Sequence, residues 1–328
     1  MSSNLAATDA APTAIDGERL TAPVPPAKPR RRRQGAFTPY ALLVPSLAIL
    51  AVIVGWPLIQ LLVMSFQHFG RAQVFGAPPE WIWFDNYVKV LTDDSFWQVL
   101  GRSLAFAAVC VVGTMVLGTL IALMMMRLPK FFRLLTTVGL LLAWAMPALT
   151  ATIVWGWIFD TDYGVINNVL VNLFGQAQFT QHSWLIEPMS FFLVAAIIVI
   201  WGAVPFVAFT VYAGLTQVSD EMLEASQLDG AGYLQRFRFI IFPSLKSIFL
   251  VVTILQVIWD LRVFTQIYAL QGIGGIKEQT NVLGTYIYST SIAGGEYGIG
   301  GAIAVITVVI LMAISIYYVR QTIKEEEL

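Results

Sequence analysis

The sequence has few charged residues, one cysteine and two histidines among its 328 residues. Charged residues make up 12% of the chain, whereas soluble domains carry about 25%, so the composition argues against a water-soluble enzyme. The single cysteine, Cys110, excludes an internal disulfide framework and a cysteine-based zinc site. His68 and His182 stand apart from each other, and surface or packing roles suit them better than metal ligation.

Motifs that carry enzymatic chemistry are also missing from the sequence. There is no GxxxxGK[ST] phosphate loop, so we expect this chain to bind no ATP itself. No Ser/His/Asp or Cys/His arrangement indicates nucleophilic catalysis. The net charge of −1 gives no reason to expect a nucleic acid partner. We therefore predict that the chain is not an enzyme and holds no cofactor or metal.

Long apolar stretches dominate the sequence. Hydrophobic residues make up 57% of the chain and the mean hydropathy is +0.73, and a helix needs about 20 apolar residues to cross a bilayer. Asp260 and Arg262 interrupt one of these stretches, and the others are free of charge. The predicted fold class is therefore all-α, a polytopic membrane protein with its transmembrane domain at 37–328. The six predicted transmembrane helices cover about 41–66, 103–126, 134–159, 190–215, 245–270 and 299–319.

One further charge-free stretch, 163–186, is not expected to span the membrane. It is rich in Asn, Gln and His, and a buried amide without a partner costs about 1–3 kcal/mol or more. Val165, Val169 and Leu173 follow helical spacing, which predicts an amphipathic surface helix within a connecting loop.

The distribution of Lys and Arg predicts the orientation. If the N-terminus is cytoplasmic, most Lys and Arg residues fall in the cytoplasmic segments, as the positive-inside rule requires. Both termini are then cytoplasmic. Residues 1–36 are rich in Ala, Pro and Thr, which predicts a disordered tail. Its run Arg30–Arg33 can bind nucleic acid or lipid headgroups, but a topology anchor is the favoured interpretation.

The loop between the fourth and fifth spans, 216–244, carries most of the functional information. Ser219 is placed to cap a helix, and Gly230 to end it in a left-handed conformation. A second helix is expected at about 231–241, with Pro243 opening the next span. The apolar side chains of this helix pair predict a docking site, and an interfacial helix pair lying on the lipid is the alternative.

The same loop carries a recognisable residue pattern. It comprises Glu224, Ala225, Ser226, Asp229, Gly230, Ala231, Gln235, Phe237, Ile240 and Pro243. The pattern resembles the EAA coupling motif of binding-protein-dependent ABC importer permeases, with Gly230 and Pro243 at the family spacing. Ser226 replaces the usual third-position alanine, and Phe242 replaces a leucine.

Shorter matches extend this resemblance over nearly the whole chain after about Tyr40. They are Pro45, Trp56-Pro57, Ser65-Phe66, Phe84 to Tyr87, Gly164 to Asn167 and Gly272 to Gly275. These segments resemble sugar permeases of the maltose and trehalose type. The resemblance implies a type I ABC importer fold in the inner (plasma) membrane.

The resemblance also implies partners. They are a second homologous permease, a dimeric cytoplasmic ATPase that binds ATP-Mg, an extracytoplasmic sugar-binding protein and a mono-, di- or oligosaccharide substrate. Contact with the ATPase falls on Glu224, Ala225, Ser226, Asp229, Gly230 and Ala231, with Glu224 facing a basic residue of the ATPase.

Sugar-contacting positions carried over from maltose-type permeases fall on two helices. They are Trp201, Gly202, Ala203 and Phe206 before the coupling motif, and Gln256, Trp259 and Asp260 after it. A mixture of aromatic and polar side chains suits a carbohydrate, and Trp144 and Trp155 are weaker candidates. An interhelical salt bridge of Asp260 or Arg262 is the alternative role for the intramembrane charges.

Two other functions remain as alternatives. An ion-coupled secondary transporter or channel would need several intramembrane carboxylates or histidines, or inverted repeats. A permease of a non-sugar ABC importer would share the coupling motif, and only the sugar-type matches along the chain argue against it.

Overall fold

The computed structural model describes residues 38–326, so the predicted disordered tail and its arginine run lie outside the described residues. The chain divides into two units, residues 1–54 and residues 55–328. The described part of the first unit forms the helix Thr38–Leu50 and the start of the π-helical turn Ala51–Gly55.

The second unit is built from helices, and its longer ones are apolar. They are Trp56–Ser65, Asp94–Arg127, Lys130–Ala145, Ala148–Ile158, Pro188–Leu215, Lys246–Leu261, Thr265–Ile273 and Tyr297–Glu326. Within residues 38–326, five helical segments are long and apolar enough to cross a membrane: Leu43–Ser65, Asp94–Arg127, Pro188–Leu215, Lys246–Ile273 and Tyr297–Arg320. The predicted all-α, polytopic fold class is confirmed.

The third predicted span, 134–159, is not one straight helix. It consists of Lys130–Ala145 and Ala148–Ile158, which are bent by 102° relative to each other. Pro147 lies at the break. Because Pro147 has no backbone N–H and its ring disfavours helical geometry at the preceding residue, Met146 is extended, with φ −72° and ψ 126°. The expectation of a continuous helix was therefore wrong at this point, although the pair still counts as a sixth apolar segment.

Short elements connect the apolar helices. They are the antiparallel strands Gln67–His68 and Glu80–Trp81, the helices Arg71–Val74, Asp85–Thr92, Val165–Asn172, Asp220–Leu228, Tyr233–Arg236, Phe242–Ser244, Lys277–Thr280 and Leu283–Tyr288, the 3₁₀ turn Ala177–Phe179 and the π turns Phe237–Ile241 and Ser289–Ala293.

The polar stretch 163–186 has a short helix, as predicted, and it does not span. Asn167 on the Val165–Asn172 helix is buried, and its amide nitrogen donates to the carbonyls of Thr161 and His182 at 3.1 and 2.8 Å. Its amide oxygen accepts a hydrogen bond from the Trp184 indole at 2.7 Å. Asn167 therefore joins the two ends of the loop between the third and fourth spans by hydrogen bonds.

The Asp94–Arg127 and Pro188–Leu215 helices pack closely in the centre of the second unit. A Cβ atom at Gly118 would lie 2.6 Å from the Val207 side chain, and one at Gly113 would lie 2.5 Å from Ile200. Small residues allow this approach, which is the usual way in which helices associate within lipid. The two contacts also fix the register of the two helices.

A polar contact joins the start of the Asp94–Arg127 helix to the Leu283–Tyr288 helix. The Tyr286 hydroxyl donates to Asp93 Oδ2 at 3.1 Å, and the Ser95 N–H donates to Asp93 Oδ1 at 2.9 Å. Burial and the hydrogen bond to Asp93 raise the pKa of Tyr286 to about 12. Burial opposes ionisation of Asp93, but these hydrogen bonds outweigh it and lower the pKa of Asp93 below its ordinary value.

Candidate functional site

The first helix of the coupling loop begins and ends as its sequence predicts. Ser219 Oγ accepts a hydrogen bond from the Met222 N–H at 3.2 Å, which caps the start of Asp220–Leu228. At the other end, Gly230 has φ +78°, and the Ala231 N–H donates to the Ser226 carbonyl at 2.9 Å. Gly230 therefore ends the helix in the left-handed conformation that glycine adopts without strain.

The second half of the loop differs from the single helix expected at 231–241. It forms the short helix Tyr233–Arg236, in which Gln235 Oε1 accepts from the Gly232 N–H at 2.8 Å, followed by the π turn Phe237–Ile241. Pro243 supplies no N–H for a regular i→i−4 ladder, and a wider turn at this point accommodates the loss. Pro243 lies in Phe242–Ser244, and the long helix begins only at Lys246.

The motif side chains divide between the two faces of the first helix. Glu224, Ala225 and Asp229 are exposed, Ala231 is half-buried, and Ser226 is buried, with its hydroxyl donating to the Leu223 carbonyl at 2.7 Å. Large apolar side chains are exposed alongside them: Leu228 at 90%, Leu234 at 80% and Phe239 at 70%. An apolar surface of this kind beside charged side chains is typical of a protein–protein contact.

A cavity of about 340 Å³ lies between the helices before and after the coupling loop. Six of the seven predicted substrate-path residues line it: Trp201, Gly202, Ala203, Phe206, Trp259 and Asp260. Gln256 does not line it, because its side chain is fully buried one helical turn before Asp260.

Aromatic rings form one wall of the cavity. The Phe206 and Trp259 rings have centroids 5.0 Å apart at an interplanar angle of 64°, and Trp144 lies 6.5 Å from Phe206. Trp155 does not line the cavity, but its ring supports Trp201, with centroids 6.0 Å apart. The wall offers apolar ring faces of the type that bind the apolar faces of sugars.

Polar atoms without partners lie in and beside the lining of this cavity. Among residues 38–326, Asp260 Oδ2 and both amide atoms of Gln256 are buried and form no hydrogen bond. Asp260 is only 4% exposed, yet it lines the cavity. Buried polar groups are nearly always paired in native structures, so the Asp260 carboxylate, which lines the cavity, is the group that a polar ligand or water would satisfy.

The cavity also contains Thr265 and Gln266, which the sequence did not identify, and Arg262, for which the sequence suggested a salt bridge. The helix Lys246–Leu261 ends before Arg262, and a new helix begins at Thr265, so Arg262, Thr265 and Gln266 reach the same cavity as Asp260. On a continuous helix Arg262 would lie on a different face from Asp260, and the break in the helix brings both residues to one cavity. Within the described part of the chain, no ion pair joins Asp260 to any cation.

Known proteins resemble this chain over most of its length. Residues 114–325 match the family described as "Binding-protein-dependent transport system inner membrane component". The chain is 42% identical to the diacetylchitobiose uptake system permease protein DasB of Streptomyces coelicolor, over 90% of this chain and 89% of the relative. It is 29% identical to the trehalose/maltose transport system permease protein MalF of Thermococcus litoralis, over 86% and 92%.

The fold matches a solved structure as well. A chain in the crystal structure of a bacterial ABC transporter involved in the import of the acidic polysaccharide alginate superposes with a TM-score of 0.73. The match covers 87% of this chain and 94% of that chain, at 22% sequence identity, so it supports the fold alone.

Proposed function

Because the chain belongs to the family of binding-protein-dependent transport system inner membrane components, we propose that it forms the sugar pathway of an ATP-driven importer together with a second, homologous permease. The family and the relatives show that the chain is a multi-pass membrane permease of an ABC carbohydrate transport system and not an enzyme. What we propose concerns the partner proteins of this chain and the residues that contact them.

Glu224 and the exposed apolar side chains around it form the contact with a dimeric cytoplasmic ATPase, which binds ATP-Mg. The capped helix presents Glu224 on its exposed side, and the left-handed Gly230 allows the two short helices to turn toward one another. Leu228 and Leu234, which are largely exposed, supply the apolar area that such a contact needs. This proposal places the loop and both termini in the cytoplasm, in accord with the positive-inside rule.

The single observation that carries the sugar pathway is the cavity with its unpartnered Asp260. Its aromatic wall supplies stacking surfaces, and Asp260 and Gln266 supply hydrogen-bonding groups for hydroxyls or amides. An extracytoplasmic sugar-binding protein would deliver the substrate. The 42% identical relative takes up diacetylchitobiose, so an N-acetylated disaccharide is the first substrate to test, followed by maltose and trehalose.

Uptake in proteoliposomes tests this function. The chain is reconstituted with a second permease, an ATPase and a sugar-binding protein from the same organism, and radiolabelled diacetylchitobiose, maltose and trehalose are supplied with the binding protein. We expect uptake of one of these sugars that requires ATP and stops when the ATPase is omitted. Uptake by this chain alone, driven by an ion gradient, would instead establish the secondary-transporter alternative.

A further inference from the structure

An apolar groove of about 890 Å³ runs along the second span to the coupling loop. Val112, Val116 and Leu120 of the Asp94–Arg127 helix line it, and each is more than half exposed. Phe249 of the Lys246–Leu261 helix lies across the groove from them. The lining is mainly apolar, as a bound hydrocarbon chain requires, and it includes Lys246.

A second pocket, of about 360 Å³, continues the groove at its coupling-loop end. Tyr233 and Phe237 line both spaces, and the second pocket adds Arg127 and Arg236. Apolar and cationic surfaces therefore adjoin. Since Arg127 is the last residue of the second span, the cationic end lies where that helix leaves the membrane.

Arg127 and Arg236 approach the same aromatic ring. Their guanidinium carbons lie 4.3 and 4.5 Å from the centroid of Tyr233. Neither guanidinium forms an ion pair with a side chain of residues 43–219 or 221–320, the side chains that the structure describes, and Arg236 Nε is buried without a hydrogen-bond partner among them. Two positive charges without a described counter-charge therefore lie close to one ring, and this favours the binding of an anion nearby.

We propose that this groove binds one anionic phospholipid of the leaflet on the coupling-loop side. The phosphate would accept hydrogen bonds from Arg127 and Arg236, and an acyl chain would lie along Val112, Val116 and Leu120. Guanidinium groups bind phosphate oxygens in a bidentate manner, and basic pockets between spans bind anionic headgroups. A carboxylate of a protein partner would satisfy the charges but would leave the groove of about 890 Å³ to be filled by something else.

The lipid would bridge the second span, through Arg127, and the coupling loop, through Arg236. It is therefore expected to act on the loop without any contact to the sugar cavity, whose lining shares no residue with the groove.

Native mass spectrometry of the purified full chain in detergent tests this assignment. The chain is titrated with dioleoylphosphatidylglycerol or with dioleoylphosphatidylcholine, which has the same acyl chains and a zwitterionic headgroup. We expect one phosphatidylglycerol per chain, bound at least tenfold more tightly than phosphatidylcholine, and we expect the double variant Arg127→Gln/Arg236→Gln to lose this preference.

Arg238→Gln is the matched control. Arg238 lies in the same loop, with its guanidinium over the Phe239 ring, and it lines neither the groove nor the pocket. This variant should bind phosphatidylglycerol as the unmodified chain does. Thermal unfolding without lipid checks that each variant is folded. If the double variant does not fold, Leu120→Trp, which fills the groove and keeps both arginines, should weaken phosphatidylglycerol binding at least tenfold.

Three results would overturn the proposal. The first is retention of the phosphatidylglycerol preference by the folded double variant, or by Leu120→Trp. The second is displacement of the lipid by 10 mM inorganic phosphate, which would indicate a site for a free anion. The third is loss of the bound lipid when the second permease binds, or a dimer of this chain that Leu120→Trp dissociates, either of which would assign the groove to a protein partner.

Discussion

Asp260 is the residue on which the sugar pathway depends most. It lies in an apolar segment, where a charged side chain costs about 2.5–3.5 kcal/mol on insertion scales, and Oδ2 has no partner among the described residues. A salt bridge would be the usual compensation. Because Asp260 pairs with no cation among the described side chains of residues 43–219 and 221–320, a ligand or water in the cavity is the partner that we expect.

Replacement of Asp260 by Asn should slow sugar transport. Asn keeps the size of the side chain, but it removes a charged acceptor, and a hydrogen bond to a charged group contributes about 1.5–3 kcal/mol. We expect uptake at saturating binding protein to fall roughly tenfold or more, with thermal stability unchanged. Asp162→Asn, which changes an exposed carboxylate outside the cavity, is the control. A lowered unfolding temperature with normal uptake would show that Asp260 is structural.

The Asp93–Tyr286 contact predicts a specific dependence of stability on alkaline pH. The pKa of Tyr286 is raised to about 12 in the folded protein. Its contribution to the free energy of unfolding is therefore fully present below the unfolded pKa of about 10. That contribution is lost as the pH rises from about 10 toward 12.

Thermal unfolding of the chain and of Tyr286→Phe between pH 8 and 12 measures this contribution. The chain should be the more stable of the two at pH 8, and the difference should shrink through the interval above pH 10. Tyr163→Phe, at an 81% exposed tyrosine, is the control and should give a small, constant difference. If the difference in stability between the unmodified chain and Tyr286→Phe stays constant up to pH 12, the Asp93–Tyr286 hydrogen bond is contradicted.

Among the elements, the coupling loop shows how much local sequence determines. Ser219 and Gly230 fixed both ends of the first helix because a cap and a left-handed residue act over one helical turn. The break at Arg262 had no such signal, since neither Pro nor Gly lies between Leu261 and Thr265. Without a local signal for the break, Thr265 and Gln266 were not predicted to line the cavity, and Arg262 was considered only for a salt bridge.

The third span gives the opposite case, in which the signal was present. Pro147 lies in the middle of the apolar stretch 134–159, and proline interrupts the backbone hydrogen bonds of a helix. Hydropathy locates a span without showing whether it is straight, so the 102° bend was missed. The sugar-path residues on the two flanking helices were predicted from family spacing, and six of the seven do line one cavity.

Substitution of Gly230 tests the function of the loop. At φ +78° an alanine is strained by about 1–2 kcal/mol, so Gly230→Ala should disturb the turn between the two short helices. We expect ATP-driven sugar uptake to fall while the chain remains inserted. Gly232→Ala is a matched control two residues away, because Gly232 has φ −69° and room for a Cβ atom. Equal uptake by both variants would refute a coupling role for this turn.

At the scale of the whole molecule, labelling of single cysteines tests the proposed orientation of the chain in the membrane. Cys110 is fully buried, so the native cysteine should not react with the label. Leu228→Cys in the coupling loop should react with a membrane-impermeant maleimide only after the cells are opened. Tyr163→Cys, which is exposed on the other side in the proposed topology, should react in intact cells. The reverse pattern would invert the orientation and rule out a cytoplasmic coupling loop.

The central claim is that sugar passes through the cavity lined by Trp201, Phe206, Trp259 and Asp260. The most direct test is an electron cryomicroscopy structure of the complete transporter, trapped with its sugar during transport. We predict sugar density within 4 Å, roughly van der Waals contact, of the Trp259 ring and within hydrogen-bond distance of the Asp260 carboxylate. Sugar density elsewhere in the membrane domain, with this cavity empty or filled by side chains of the second permease, would contradict the claim.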